Sequence, residues 1–84
     1  MDVKGTVQRL VLSSLPTGQK RSAIDPEEDL LVGGVIDSVS LVELVAALEG
    51  EFDIELGDED VVMDNFQTVT AIEGLVESKR QDAI

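Results

Sequence analysis

Apolar residues recur at three- and four-residue steps at the start of the chain: Val3, Val7, Leu10 and Val11, with Ser14 continuing the series. That spacing puts them on one face and predicts an amphipathic helix over about 2–14, with Asp2 beside its positive end. Leu15-Pro16-Thr17-Gly18 ends it, because a residue before proline avoids the α region. No regular pattern follows until about residue 37, which makes a long first loop for so small a chain. Within it, 23–31 reads as one short helical turn with Pro26 at its first position. Ile24, Leu30 and Leu31 are expected to pin the loop to the core, and Gly33-Gly34 to break any helix.

The strongest periodicity runs from about Ser38 to Phe52. At 100° per residue, Leu41, Leu44, Val45, Leu48 and Phe52 form the core stripe. The opposite side carries Val39, Glu43, Ala46 and Gly50, with Val42 on its flank. Ile54 and Leu56 alternate inward in the connection that follows. Asp58-Glu59-Asp60 starts a short helix through Met63, with Val61 and Val62 available to the core. Thr70 and Glu73 have capping-box spacing. The last helix reaches about Lys79, with Val69, Ile72, Leu75 and Val76 as its stripe and Lys79 and Arg80 at its negative end. Residues 81–84 are expected to fray. The expected fold class is therefore all-α, a four-helix bundle of three main helices and one short one, built as a single domain over 1–84.

Composition narrows the function classes. An apolar fraction of 43% over 84 residues suffices for one core and exceeds that of a disordered tail. The net charge is −12, from 18 acids against 6 bases. That disfavours nucleic-acid backbones and anionic membranes as partners. There is no Cys and no His, so thiolate chemistry, zinc–thiolate sites and the commonest general base are missing. No apolar run approaches the roughly 20 residues of a membrane span, and the first residues lack a signal-peptide core, so a cytoplasmic protein is expected.

All the acids except Asp2 and Asp82 lie between Ser22 and Ser78, where there is no base. Repulsion among them is expected to raise their pKa values and to make mild acid, salt or Mg²⁺ stabilising. The acids around Asp53 to Asp60 miss the EF-hand register, because Gly57 falls at the fifth loop position rather than the sixth. No dedicated metal site is expected.

The candidate chemistry sits in Gly34-Val35-Ile36-Asp37-Ser38-Val39-Ser40-Leu41, where a glycine-containing loop meets the strongest helix. Local physics reads Ser38 as a helix cap, and Ser40 with Glu43 also fits a capping box. Ser38 cannot act as a triad nucleophile in a chain without His. A hydroxyl at a helix N-terminus is instead a good acceptor for a phosphate, whose charge the free N–H groups and the dipole favour.

Asp37-Ser38-Val39, then Val42-Glu43-Leu44, then Ala47-Leu48-Glu49-Gly50-Glu51-Phe52-Asp53-Ile54-Glu55-Leu56 and Asp58-Glu59-Asp60 resemble the acyl carrier protein family, the phosphopantetheine-dependent carriers. The likeness is firm over about Gly34 to Val76. Val39 stands where Leu is usual, and Ser40 where many fatty-acid carriers have a second acid. Gly34-Val35-Ile36 is more like carriers of specialised pathways.

The resemblance implies that Ser38 receives 4′-phosphopantetheine from coenzyme A, with Asp37 as the motif acid, and that the arm's thiol holds cargo as a thioester. It implies a non-enzymatic, monomeric acyl carrier of fatty-acid, polyketide or related biosynthesis. The alternatives are an aminoacyl or peptidyl carrier, or an acidic helical adaptor with no covalent cargo. It also implies partner docking through Val39, Val42, Glu43 and Ala46, with Glu49 and Asp58 facing basic patches. The partners would be a phosphopantetheinyl transferase, a loading ligase and pathway enzymes. The cargo would enter between helices beside the small residues Val45, Ala47, Val62 and Val69.

Overall fold

The computed structural model describes residues 2–15 and 23–82. Four helices follow in order: α1 (Val3–Ser13), α2 (Ser38–Phe52), α3 (Met63–Phe66) and α4 (Val69–Asp82), with no strand among the described residues. The class is the all-α arrangement expected from the periodicity. Helix α1 packs on α4 and α2, α2 also meets α4, and α3 packs on α4 alone. The expected stop at Pro16 to Gly18 lies outside the described residues, as do residues 83 and 84 at the fraying end.

Helices α1, α2 and α4 contribute most of their predicted stripes to one buried cluster, and α3 adds Phe66, which the periodicity did not mark. Val7 and Val11 of α1, Leu44 and Leu48 of α2, Phe66 of α3 and Val69, Ile72 and Val76 of α4 are fully buried, with Leu30 from the first loop among them. Burying one such side chain is worth about 1.5–3 kcal/mol, so this cluster drives the collapse. The α2 stripe is rotated slightly from expectation. Ser40 is buried in line with Leu44, Leu48 and Phe52, whereas Leu41 and Val45 are only half-buried.

Loop 23–37 is knitted to the helices rather than folded as a helical turn. The Asp25 carboxylate accepts from the Glu27 N–H at 2.8 Å, and Glu28 N–H closes a turn on Asp25 O at 3.0 Å. A side chain that binds the nearby backbone in this way competes with helix formation. Leu30 N–H donates to Gln67 O at 2.7 Å and Ile36 N–H to Leu30 O at 2.9 Å. Asp29 accepts from the N–H groups of Leu31 and Val32 and from the Gln67 side chain. Ile24 and Leu30 are buried as expected, and Leu31 is half-buried. Gly34 turns the chain at φ 75°, a left-handed conformation that suits glycine.

Three local expectations shift. The short helix begins at Met63, not at Asp58, because residues 57–61 close their own turn. Asp60 N–H donates to Gly57 O at 2.9 Å and Val61 N–H to Asp58 O at 3.3 Å. Val62 is therefore an exposed flank of α3 rather than a core residue. The cap of α4 is Thr68, whose hydroxyl accepts from Ala71 N–H at 3.0 Å. Thr70 cannot cap, since its hydroxyl reaches Pro26 O at 3.3 Å and the Glu27 carboxylate at 2.6 Å.

The bases near the two ends fold back onto the acidic middle. Lys4 pairs with Glu73 at 3.8 Å, Arg9 with Glu51 at 3.6 Å, and Lys79 with Asp60 at 2.7 Å. Hydrogen bonds also reverse the expected pKa direction at three carboxyls. Asp29 is held below the usual carboxylate value, chiefly by the Gln67 side chain. Asp60 is lowered chiefly by Lys79, with help from the Gly57 N–H. Asp37, the third, belongs to the site below.

Candidate functional site

The start of α2 is built by Asp37. Its backbone is extended, its side chain accepts from Ser40 N–H at 2.8 Å, and its carbonyl accepts from Leu41 N–H at 2.9 Å. Asp37 is thus the N-cap, and Ser38 is the first helical residue, not the cap that local physics suggested. The capping box expected of Ser40 is absent for the same reason: Ser40 is inside the first turn and buried. The Ser40 N–H, then the Ser40 hydroxyl, hold the Asp37 carboxyl below its usual range. Asp37 therefore stays ionised well into acid, and its role here is to fasten the helix start.

That exchange of roles leaves Ser38 available. It is exposed, and its hydroxyl takes part in no hydrogen bond among the described residues. The 15-residue helix behind it presents the positive end of its dipole there, partly offset by the Asp37 carboxylate at the N-cap. The site has an exposed acceptor oxygen at a helix N-terminus. With no His in the chain it has no imidazole base, and the adjacent Asp37 carboxylate is engaged by the Ser40 N–H.

One turn further along α2, Leu41, Val42 and Val45 form one wall of a cleft of about 240 Å³. Asp58 and Val61, from the segment after α2, form the other. Residues three and four apart share a helix face, so the cleft opens beside Ser38. A larger hollow, about 510 Å³, lies between α1 and residues 23–24 and includes none of these residues. The smaller cleft is the one a single turn along α2 from Ser38.

The remaining candidates separate. Val39 and Val42 are 65% and 69% exposed, and Glu43 and Ala46 are exposed with them, forming one outward strip on α2. Asp58 stands exposed at the cleft. Glu49 differs: it is half-buried, and its carboxylate accepts from Leu56 N–H at 2.9 Å. Of the small residues expected to yield to a cargo, Val45 lines the cleft, Ala47 is half-buried, Val62 is on the surface and Val69 is sealed in the core. The sequence reading missed Val61 as a cleft residue, and the exposed Val32 and Met63. Their signal, lone apolar residues in polar surroundings, does not separate wall from surface.

Residues 6–76 match the model of a family described as "Phosphopantetheine attachment site". The chain is also 28% identical over 82 residues to "Aminoacyl carrier protein 1" of Bradyrhizobium diazoefficiens, an alignment covering 98% of this chain and 90% of that relative.

Proposed function

We propose Ser38 as the point of attachment from one premise: the chain belongs to the phosphopantetheine-attachment family, and its prosthetic group is a covalently held phosphopantetheine. It is a carrier protein, not an enzyme, and its work requires a phosphopantetheinyl transferase and partner enzymes. The observation that carries the assignment is the exposed, unbonded Ser38 hydroxyl at the first position of α2. The residues present fit the group, since a phosphate placed there meets the positive helix end and has a cleft beside it.

In the transfer, the Ser38 oxygen would form a bond to the pantetheine-side phosphorus of coenzyme A while the pyrophosphate P–O bond breaks and adenosine 3′,5′-bisphosphate leaves. The hydroxyl proton would pass to a base on the transferase, since this chain has no His and the Asp37 carboxylate is engaged by the Ser40 N–H. Asp37 keeps the first turn of α2 closed and so holds Ser38 in place. Once attached, the group supplies a thiol on a flexible arm, where a cargo is held as a thioester. The exposed strip of Val39, Val42, Glu43 and Ala46, with Asp58 nearby in the cleft wall, is proposed as the docking face for basic patches on partners. Glu49 is left out of that face, because the Leu56 N–H occupies its carboxylate.

For the cargo, the apolar wall of Leu41, Val42, Val45 and Val61 supports an acyl group. The likeness to an aminoacyl carrier supports an amino acid as the second reading. Intact-mass measurement after incubation with coenzyme A, Mg²⁺ and a broad-specificity transferase should show one phosphopantetheine increment, absent in Ser38→Ala. Loading the product with acyl ligases and aminoacyl ligases then separates the two cargoes. An unchanged mass with several transferases would remove the assignment.

A further inference from the structure

The cleft beside Ser38 has one firm wall and one suspended wall. Leu41, Val42 and Val45 belong to α2, which is held by the buried Leu44 and Leu48. Asp58 and Val61 belong to the segment between α2 and α3, and the backbone of α3 lies against α4 rather than α2. The segment is fastened at its two ends, where Glu49 holds the Leu56 N–H and where Phe66 enters the core. Between those points Val61 is only partly buried against the core, and the segment otherwise closes on itself. Gly57 N–H donates to the Asp60 carboxylate at 3.0 Å, Asp60 N–H returns to Gly57 O at 2.9 Å, and the Asn65 side chain donates to Asp60 O at 2.9 Å. Asp60 is the hub of this turn, and displacing it displaces Asp58 and Val61 with it.

We propose that the Lys79–Asp60 ion pair is the clasp that ties this suspended wall to α4 and so sets the width of the cleft. Lys79 is thereby a positioning residue for the cargo, an inference that rests on the carrier reading. Its Nζ lies 2.7 Å from the Asp60 carboxylate that also takes the Gly57 N–H. The two side chains are 24% and 13% exposed, whereas the Lys4–Glu73 and Arg9–Glu51 pairs are longer and each has a more open base. Helix α4 is a fixed post, since Val69, Ile72 and Val76 are fully buried. The carrier therefore controls shelter for its cargo from the helix farthest along the chain, through one lysine that does not line the cleft.

The test compares Lys79→Met, which keeps the length and removes the charge, with Lys79→Arg and with Arg9→Met as a control pair. In the unmodified protein, amide hydrogen exchange at Gly57 and Val61 should be about fivefold faster in Lys79→Met and unaffected in Arg9→Met, with Lys79→Arg restoring the slow rate. In protein loaded with an octanoyl thioester, hydroxylamine should cleave the thioester faster in Lys79→Met, again with rescue by arginine. Unchanged exchange in Lys79→Met overturns the clasp. Faster exchange with unchanged thioester cleavage overturns its role in the cleft. Failure of the protein to take up phosphopantetheine would remove the carrier reading, and the exchange measurements would still decide the clasp.

Discussion

Replacing Glu49 by alanine should loosen the turn after α2. The carboxylate is half-buried and accepts from the Leu56 N–H at 2.9 Å, across seven residues of chain. A hydrogen bond to a charged group contributes about 1.5–3 kcal/mol. Removing one of many like charges returns a few tenths of a kcal/mol. The net loss for Glu49→Ala is then about 1–2.5 kcal/mol, and in a domain of this size each kcal/mol lowers Tm by roughly 4–8 °C, giving a fall of about 4–20 °C. Glu49→Gln keeps a carbonyl acceptor and should lose less than half as much. Glu43→Ala, on the exposed strip, should stay within about 0.5 kcal/mol of the parent. Thermal melts followed by circular dichroism at fixed pH and salt give the order, and amide exchange at Leu56 locates the cause. Melting of Glu49→Ala together with Glu43→Ala, and with Leu56 exchange unchanged, would refute the structural role given to this carboxylate.

Two glycines should respond in opposite directions. Gly50 lies in α2 with open space where a Cβ would go, so Gly50→Ala should stabilise by about 0.5–1 kcal/mol, whereas Gly34→Ala must adopt φ 75° and should cost about 1–2 kcal/mol. Acid should act through Asp29, Asp37 and Asp60, whose carboxyls are lowered from the ordinary value of 3.8. A depressed folded pKa gives stability that is complete above the unfolded pKa and is lost as pH falls through the folded one. Their contribution should therefore hold from pH 7 to about 4 and fall below that, and melts of Asp29→Asn should show a shallower loss over that lower window. A stability rising steadily into that window would contradict these assignments.

Much of this architecture is legible in the chain. The three- and four-residue spacing located α1, α2 and α4, because burial of a stripe is a property of sequence periodicity. The Asp37-Ser38 junction likewise marked the start of α2, where the proposed attachment point lies. The errors fall where neighbouring residues compete for one role. Asp37 and Ser38 both cap well, and the pattern did not reveal that Asp37 takes the Ser40 N–H and frees the serine. Thr68 and Thr70 pose the same choice, settled by Pro26 and Glu27, which lie more than forty residues earlier and engage Thr70. Glu49 and Glu43 are identical side chains on one helix, and only the path of the chain back to Leu56 distinguishes them. Tertiary partners of this kind leave no periodic trace.

The outward strip of α2 has a consequence of its own. Val39, Val42, Glu43 and Ala46 are all exposed, and Glu43 has no bonded or ionic partner among the described residues. Val39, Glu43 and Ala46 line neither the core nor the cleft, so on the proposed reading they act as a label that can be rewritten while the parcel stays sealed. Two carriers with the same interior could thus be sorted to different destinations by a handful of codons, and a designer could readdress this one without rebuilding it.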